Sequence, residues 1–213
     1  MPNFRLDPYL WIHLSGIAVL PLWLCLCLLG FAIDYPIGPI GVELTVVASL
    51  GILPILAMQW FRPFYIFSIL LIAIKPKQLT PTQRQILTRF KTSLNQKLAG
   101  VAPIILIPIL WQLYRLAPIA ANAVSLSLHG RIVGLLIASL GFLGANLFLQ
   151  VPISVISVLL TRKAEWAVTE PLDIEQIRQG FTRLGLGVNR ILPPSLFAES
   201  SEFSLTSQDP SET

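Results

Sequence analysis

Charge is what this chain of 213 residues has least of: Asp, Glu, Lys and Arg make up 12% of it, where an ordinary soluble domain carries about 25%. Apolar residues make up 54%, an excess that has to face lipid. Acid is missing altogether from Arg62 to Lys97, a stretch that holds seven of the fifteen Lys and Arg residues. Connections on the cytoplasmic face of a membrane collect Lys and Arg while translocated ones exclude them, so this asymmetry points to a membrane protein. The net charge of +4 comes mostly from the same block. It points to anionic lipid headgroups as a partner and not to nucleic acid.

Cysteine is nearly absent. Cys25 and Cys27 lie two positions apart in one apolar run, diverge on a helix and cannot form a good local disulfide. A metal would need more ligands than this pair supplies, so both are read as packing residues. Gly-x-Ser-x-Gly, His-Glu-x-x-His, a Gly-rich phosphate loop with Lys and a buried acid pair are all missing. No catalytic residue, cofactor or metal is assigned on this basis, and the chain is read as a non-enzyme. At this length there is room for one membrane domain with short appendages.

What is present is a set of four long uncharged runs: Ile12 to Ile33, Leu44 to Phe61, Leu98 to Tyr114 and Ile132 to Thr161. Each meets the roughly 20-residue requirement of a transmembrane helix, and the fourth exceeds it, requiring tilt, a bend near Pro152 or an extension beyond the bilayer. The first run is too long for a secretory signal and ends in nothing like a cleavage site. It is read as an uncleaved helix begun by Asp7-Pro8, with Tyr9 and Trp11 as interfacial aromatics. The expected fold is all-α and polytopic, with residues 1–163 as the membrane domain.

With the N-terminus cytoplasmic, thirteen Lys and Arg fall on the cytoplasmic side and only Arg115 and Arg131 on the other. Both termini are therefore expected inside. Phe64 to Ile74 is uncharged but, at eleven residues, reaches only about 16 Å as a helix, and is expected to be re-entrant or interfacial. Thr80-Pro81-Thr82-Gln83 then reads as a capping box opening an amphipathic helix over residues 81–97. Ile86, Leu87, Phe90, Leu94 and Leu98 form its apolar stripe, which either lies in the headgroup boundary or packs on the membrane domain. Lys75, Lys77, Arg84, Arg89, Lys91 and Lys97 are the expected lipid-binding basic surface. Residues 164–197 read as a short cytoplasmic segment with an amphipathic helix ended by Gly185 and Gly187. Residues 198–213, acidic and rich in Ser and Thr, read as a disordered tail.

Few residues suggest binding. His13 and His129 fall at opposite membrane faces and cannot share a metal; a pigment ligand is the only special role open to either. Asp34 and Glu43 border the short outer loop and read as solvated acids. Asn146 and Gln150, one turn apart in the fourth run, suit hydrogen bonding between helices or, failing that, a transport path. Gly134, Ala138, Gly141 and Ala145 make a seam of small residues that permits close helix approach, within the bundle or against a partner.

The blocks DPYLWIHL at Asp7 to Leu14, GILP at Gly51 to Pro54, QWFRPFYIFS at Gln59 to Ser68, KPKQLT at Lys75 to Thr80, LWQLYRLAP at Leu110 to Pro118 and LGLGVNRILPP at Leu184 to Pro194 resemble the cyanobacterial low-complexity tail membrane proteins. Only about the last sixteen residues are biased here, a short tail for that family. The resemblance implies a thylakoid or plasma membrane and brings no catalytic residue with it. The leading expectation is an accessory or assembly factor of a membrane complex, bound to lipid and to a membrane-protein partner or to itself. A small transporter or channel subunit is the alternative, and a membrane-bound enzyme comes third.

Overall fold

The structure, a computed structural model, describes residues 4–69, 71–123 and 130–193. His129 and the tail at 198–213 lie outside the described residues. The architecture is mostly helical, and four helical stretches are long and apolar enough to cross a membrane: Pro8–Ala32, Ile40–Phe61, Ser93–Ala121 and Arg131–Leu159.

The first comprises α1 (Pro8–Ser15), a 3-10 turn at Gly16–Val19 and α2 (Leu20–Ala32). Asp7 starts it as expected, its Oδ1 accepting the Tyr9 N–H at 3.0 Å. The second is α3 (Ile40–Phe61), which carries Pro54 inside it. The third span is α6 (Val101–Ala123), preceded by the short α5 (Ser93–Leu98). It runs on past Arg115, where the uncharged run stops, because one long basic side chain near a helix end can reach to the interface. The fourth is α7 (Arg131–Leu159), which continues through Pro152.

Helix α7 is the axis of the molecule, packing on α1, α2, α3 and α6. Half of its most apolar stretch is buried, against 17–22% in the other three spans, which fits one central helix with the rest around it.

At the end of the bundle where α3 and α7 finish, three separate segments fold into one cap. They are the N-terminal turn Phe4–Leu6, residues 62–98 and residues 161–193. The first contributes Phe4, whose ring stacks on Trp166 with centroids 3.9 Å apart. The second contributes β1 (Ser68–Ile69), β2 (Ile72–Ile74) and α4 (Pro81–Phe90). The third contributes α8 (Lys163–Ala167), α9 (Ile174–Gly180) and β3 (Leu186–Val188). The strands form one sheet in the order β1-β2-β3, antiparallel then parallel, with Ile72 opposite Leu186 and Ile74 opposite Val188. Tyr9, Leu10, Tyr65, Ile66, Phe67, Ile86, Leu87, Phe90 and Ile177 share its core with Val151, Val155 and Val158 from the end of α7.

Several expectations change here. Phe64 to Ile74 folds as a hairpin of short strands and not as a helix. The helix expected over 81–97 is two, α4 and α5, separated at Lys91 and Thr92. Its stripe is settled by packing: Ile86, Leu87 and Phe90 are buried in the cap core, and only Leu94 is largely exposed. The helix after Thr161 ends at Gly180, earlier than expected, while Gly185 and Gly187 serve the sheet. Gly185 has φ +87, and a Cβ there would sit 1.8 Å from the Leu71 carbonyl oxygen, so glycine is required at that crossing. Tyr9, expected at the headgroups, is fully buried against Phe67.

Candidate functional site

Gly134, Ala138, Gly141 and Ala145 are all buried on α7. They face α2. A Cβ at Gly141 would lie 2.5 Å from the Cys27 backbone nitrogen, one at Gly134 2.6 Å from the Gly30 carbonyl oxygen, and one at Gly30 2.3 Å from the Ala138 nitrogen. The two backbones touch, which is what small residues at regular spacing permit in lipid, where no hydrophobic force drives helices together. Gly144 extends the contact by making room for the Trp23 ring, and Gly51 of α3 does the same for Phe142. Cys27 is buried in this interface and Cys25 is exposed.

Asn146 and Gln150 lie on the α3 side of the axis. Asn146 Nδ2 donates to the Gly51 carbonyl at 3.0 Å, and Gln150 Nε2 donates to Asn146 Oδ1 at 3.1 Å. The bond lands on α3 one residue after Leu50, whose carbonyl is the one that the missing N–H of Pro54 leaves without its usual partner. Gln150 Oε1 is buried and unpartnered. Farther along the same helix, Ser157 Oγ donates to Asn95 Oδ1 at 2.6 Å, tying α5 to the axis.

The opposite end of the bundle holds a buried ion pair. Glu43, read from the sequence as a solvated loop acid, is 4% exposed, and Arg131 is 3% exposed. Arg131 Nη2 approaches Glu43 Oε2 at 2.5 Å, and Arg131 Nε donates to both carboxylate oxygens at 3.2 Å. Tyr114 of α6 donates its hydroxyl to Glu43 Oε2 at 3.1 Å. The guanidinium's remaining face donates to the carbonyls of Phe31 at 2.7 Å, Ile33 at 3.1 Å and Asp34 at 3.2 Å. These carbonyls stand at and just beyond the end of α2, where helix geometry leaves acceptors without donors. Arg131 and Glu43 together thus join all four spans. Asp34, with φ 59, turns the chain beside it and accepts the Gly130 N–H on Oδ2 at 3.1 Å. The sequence carried a signal for this pair: the acid begins the second span and the base begins the fourth, on the same side of the membrane in the four-span topology. Opposite charges at the lips of two neighbouring spans are able to meet.

The expected basic surface is divided. Arg84 Nη1 donates to the Leu172 carbonyl at 3.5 Å, and Arg89 pairs with Glu165 and reaches Thr161 Oγ1 at 3.4 Å, so both hold the third cap segment onto α4. Lys91 lies over the Phe181 ring, 5.7 Å from its centroid. Lys75 is exposed and donates to Asn189 Oδ1 at 3.1 Å; Lys77 and Lys97 are exposed.

The N-terminus of the first span is tied to the cap through one amide. Gln83 Oε1 accepts the Thr80 N–H at 3.1 Å, completing the expected capping box, while Gln83 Nε2 donates to Asp7 Oδ2 at 3.2 Å. Burial pushes the Asp7 carboxyl up to about 6, outweighing the bonds from Tyr9 and Gln83 that favour its charge. His13 Nδ1 donates to the Tyr9 carbonyl of its own helix at 2.8 Å, and its ring packs beside Phe64 with centroids 5.5 Å apart. Among the described residues, no group of three or more His, Cys, Asp and Glu is placed to hold a metal ion.

The chain belongs to the low-complexity tail membrane protein-like family, whose model matches residues 6–193. That match covers all four spans and the second and third segments of the cap. Neither a curated protein nor a solved structure matches the chain.

Proposed function

We propose that this membrane protein is a non-enzymatic accessory or assembly factor of a membrane protein complex, with the cap as the part a partner reads. The observation that carries the reading is how the bundle uses its polar groups. Glu43, Arg131, Tyr114, Asn146 and Ser157 are each committed to bonds that join one element of this chain to another. They hold a scaffold together. The structured surface left for recognition is the cap, which rides on the end of α7 and is therefore fixed relative to the spans.

The setting we propose is a cyanobacterial thylakoid or plasma membrane with both termini cytoplasmic, supported by the family resemblance and the thirteen-to-two distribution of Lys and Arg. In a background lacking Cys25 and Cys27, a cysteine at Gly38 should label from outside and one at Glu175 should not. Gly38 is suited to this because a Cβ there meets open space.

A tagged chain, gently solubilised, should bring down one defined complex in near-stoichiometric yield, and charge reversal on the exposed face of α9 should abolish that recovery while leaving the bundle folded. Recovery of copies of this chain alone would overturn the reading. The transporter or channel subunit is the second reading, favoured by the unpartnered Gln150 Oε1 beside Asn146 in the bundle. Substrate-dependent flux in proteoliposomes, lost in Gln150→Leu, would establish it.

A further inference from the structure

The cap does not bury all its apolar side chains. At the sheet, Leu71 is 70% exposed, Ile72 43%, Leu184 46% and Leu186 77%. Ile72 and Leu186 are register partners on β2 and β3, so their side chains stand together on one face, and Leu184 lies just before β3, across the turn at Gly185. Leu71 is held against them by the Leu186 N–H, which donates to its carbonyl at 2.8 Å.

Two features say what covers this patch. First, it continues the lipid-facing end of α3, where Trp60 and Phe61 are 50% and 79% exposed. Thr182, two residues before Leu184, donates its hydroxyl to the Arg62 carbonyl at 2.7 Å and its N–H to the Pro63 carbonyl at 3.0 Å. The patch is thus anchored to the residues that directly follow the span. Second, residues 62–79 and 181–193 bring Arg62, Lys75, Lys77, Arg183 and Arg190 to this end and no acid at all. All five are exposed.

Apolar side chains projecting between bases suit the boundary between acyl chains and anionic headgroups. We propose that the sheet end of the cap docks on the anionic leaflet, seating Ile72, Leu184 and Leu186 at that boundary while Arg62, Lys75 and Arg183 meet the headgroups. The open edges of the sheet limit the depth: unpaired strand backbone is not tolerated in the hydrocarbon, so only side chains enter it. The lipid contact of this end therefore lies with the sheet and not with α4, whose stripe is buried and whose Arg84 and Arg89 are engaged within the cap.

The test uses the purified full chain in nanodiscs of phosphatidylglycerol and phosphatidylcholine, with Cys25 and Cys27 replaced and one nitroxide at Ile72 or Leu186. Leu50, exposed on α3, is the lipid reference and Glu175 the aqueous one. At 72 and 186, collision with oxygen relative to a water-soluble nickel chelate should exceed that at 175 by about threefold or more, approaching the value at 50. In phosphatidylcholine alone the ratio at both sites should fall by about twofold, because the headgroup charge is gone. A ratio equal to that at 175, with the label at 50 still in lipid, would overturn the proposal and leave the patch to a protein partner. Equal ratios in both lipids would overturn the headgroup contacts.

Discussion

The bundle and the cap of this protein are held together by opposite means. The cap core is built from large side chains, Tyr9, Tyr65, Phe67, Ile86, Leu87, Phe90 and Trp166, all but Tyr9 from segments outside the four spans. Removing each such side chain from water stabilises the fold by roughly 1.5–3 kcal/mol. The bundle meets at Gly30, Gly134, Gly141, Gly144 and Ala138, and adds Asn146 and the Glu43–Arg131 pair. Lipid tails are as apolar as Leu, so burial there gains little and close backbone contact with hydrogen bonding has to serve instead. The two halves of one chain therefore respond differently to the same substitution.

The sharpest break in the comparison is at the rim. Glu43→Ala leaves Arg131 buried without its counter-charge and leaves the Tyr114 hydroxyl and the Ile37 N–H, 3.1 Å from Glu43 Oε1, without their acceptor. The expected loss is about 3–5 kcal/mol, read as a fall in melting temperature in detergent. Glu43→Met together with Arg131→Met should recover most of it, since removing both charges also removes their desolvation. A double variant as unstable as the single would mean the carbonyl contacts of Arg131, and not the pair, hold the rim.

Next is the seam. Gly141→Leu puts a side chain where the Cys27 backbone stands 2.5 Å from the Cβ position, and backbone cannot rotate aside. A loss of about 3 kcal/mol is expected. Leu140→Ile, at a site 56% exposed to lipid, should change stability by less than about 0.5 kcal/mol. Equal tolerance at the two sites would place α2 away from α7 in the folded protein.

The same contrast explains what could be read from the sequence. The spans were legible because length and lack of charge are local properties of a segment. The seam was legible as spacing, although its partner, α2, was not, since nothing in Gly134 or Gly141 names the helix they meet. The cap was hidden because it is assembled from three pieces that lie far apart in the chain. Phe64 to Ile74 has no helical or alternating period, and its strand β2 pairs with Leu186–Val188 from the far end of the chain. Glu43 reads as a loop acid and Arg131 only as an outer-side charge because each stands at the edge of its apolar run, and only tertiary contact turns an edge charge into a buried one.

A smaller effect links the cap to the first span through Asp7. Its carboxyl titrates near 6 when folded and near the ordinary 3.8 when unfolded, so between these values the folded protein holds a proton that the unfolded chain has released. The contribution of Asp7 to stability is full below about pH 4, declines as the pH rises toward 6 and is gone above it. At about 1.4 kcal/mol per unit the span of the decline is up to about 3 kcal/mol, less for the water that reaches this half-buried group. Asp7→Asn keeps an acceptor for the Tyr9 N–H and should flatten the profile between pH 4 and 6, with stability at pH 7 equal to the parent or higher. Identical profiles in the two proteins would remove Asp7 as their origin.

The smallest expected effect compares the two ion pairs directly. Arg89 and Glu165 are paired in the cap as Arg131 and Glu43 are at the rim, but their side chains are 21% and 52% exposed where those of the rim pair are 2% and 4%. Water around Glu165 screens the attraction and solvates either partner when the other is lost, so Glu165→Gln should change stability by less than about 1 kcal/mol. Arg89 also keeps its contact with Thr161 Oγ1 in that variant. Raising the salt from about 0.1 M to about 1 M shortens the screening length from about 10 Å to about 3 Å, and should erase even this difference between parent and variant. The same change of salt should leave the Glu43→Ala deficit nearly untouched, because the rim pair has no solvent between its charges. If instead the Glu43 deficit shrinks with salt in step with that of Glu165, water reaches the rim, and the division between a bundle held by dry contacts and a cap held by burial from water fails at that end of the molecule.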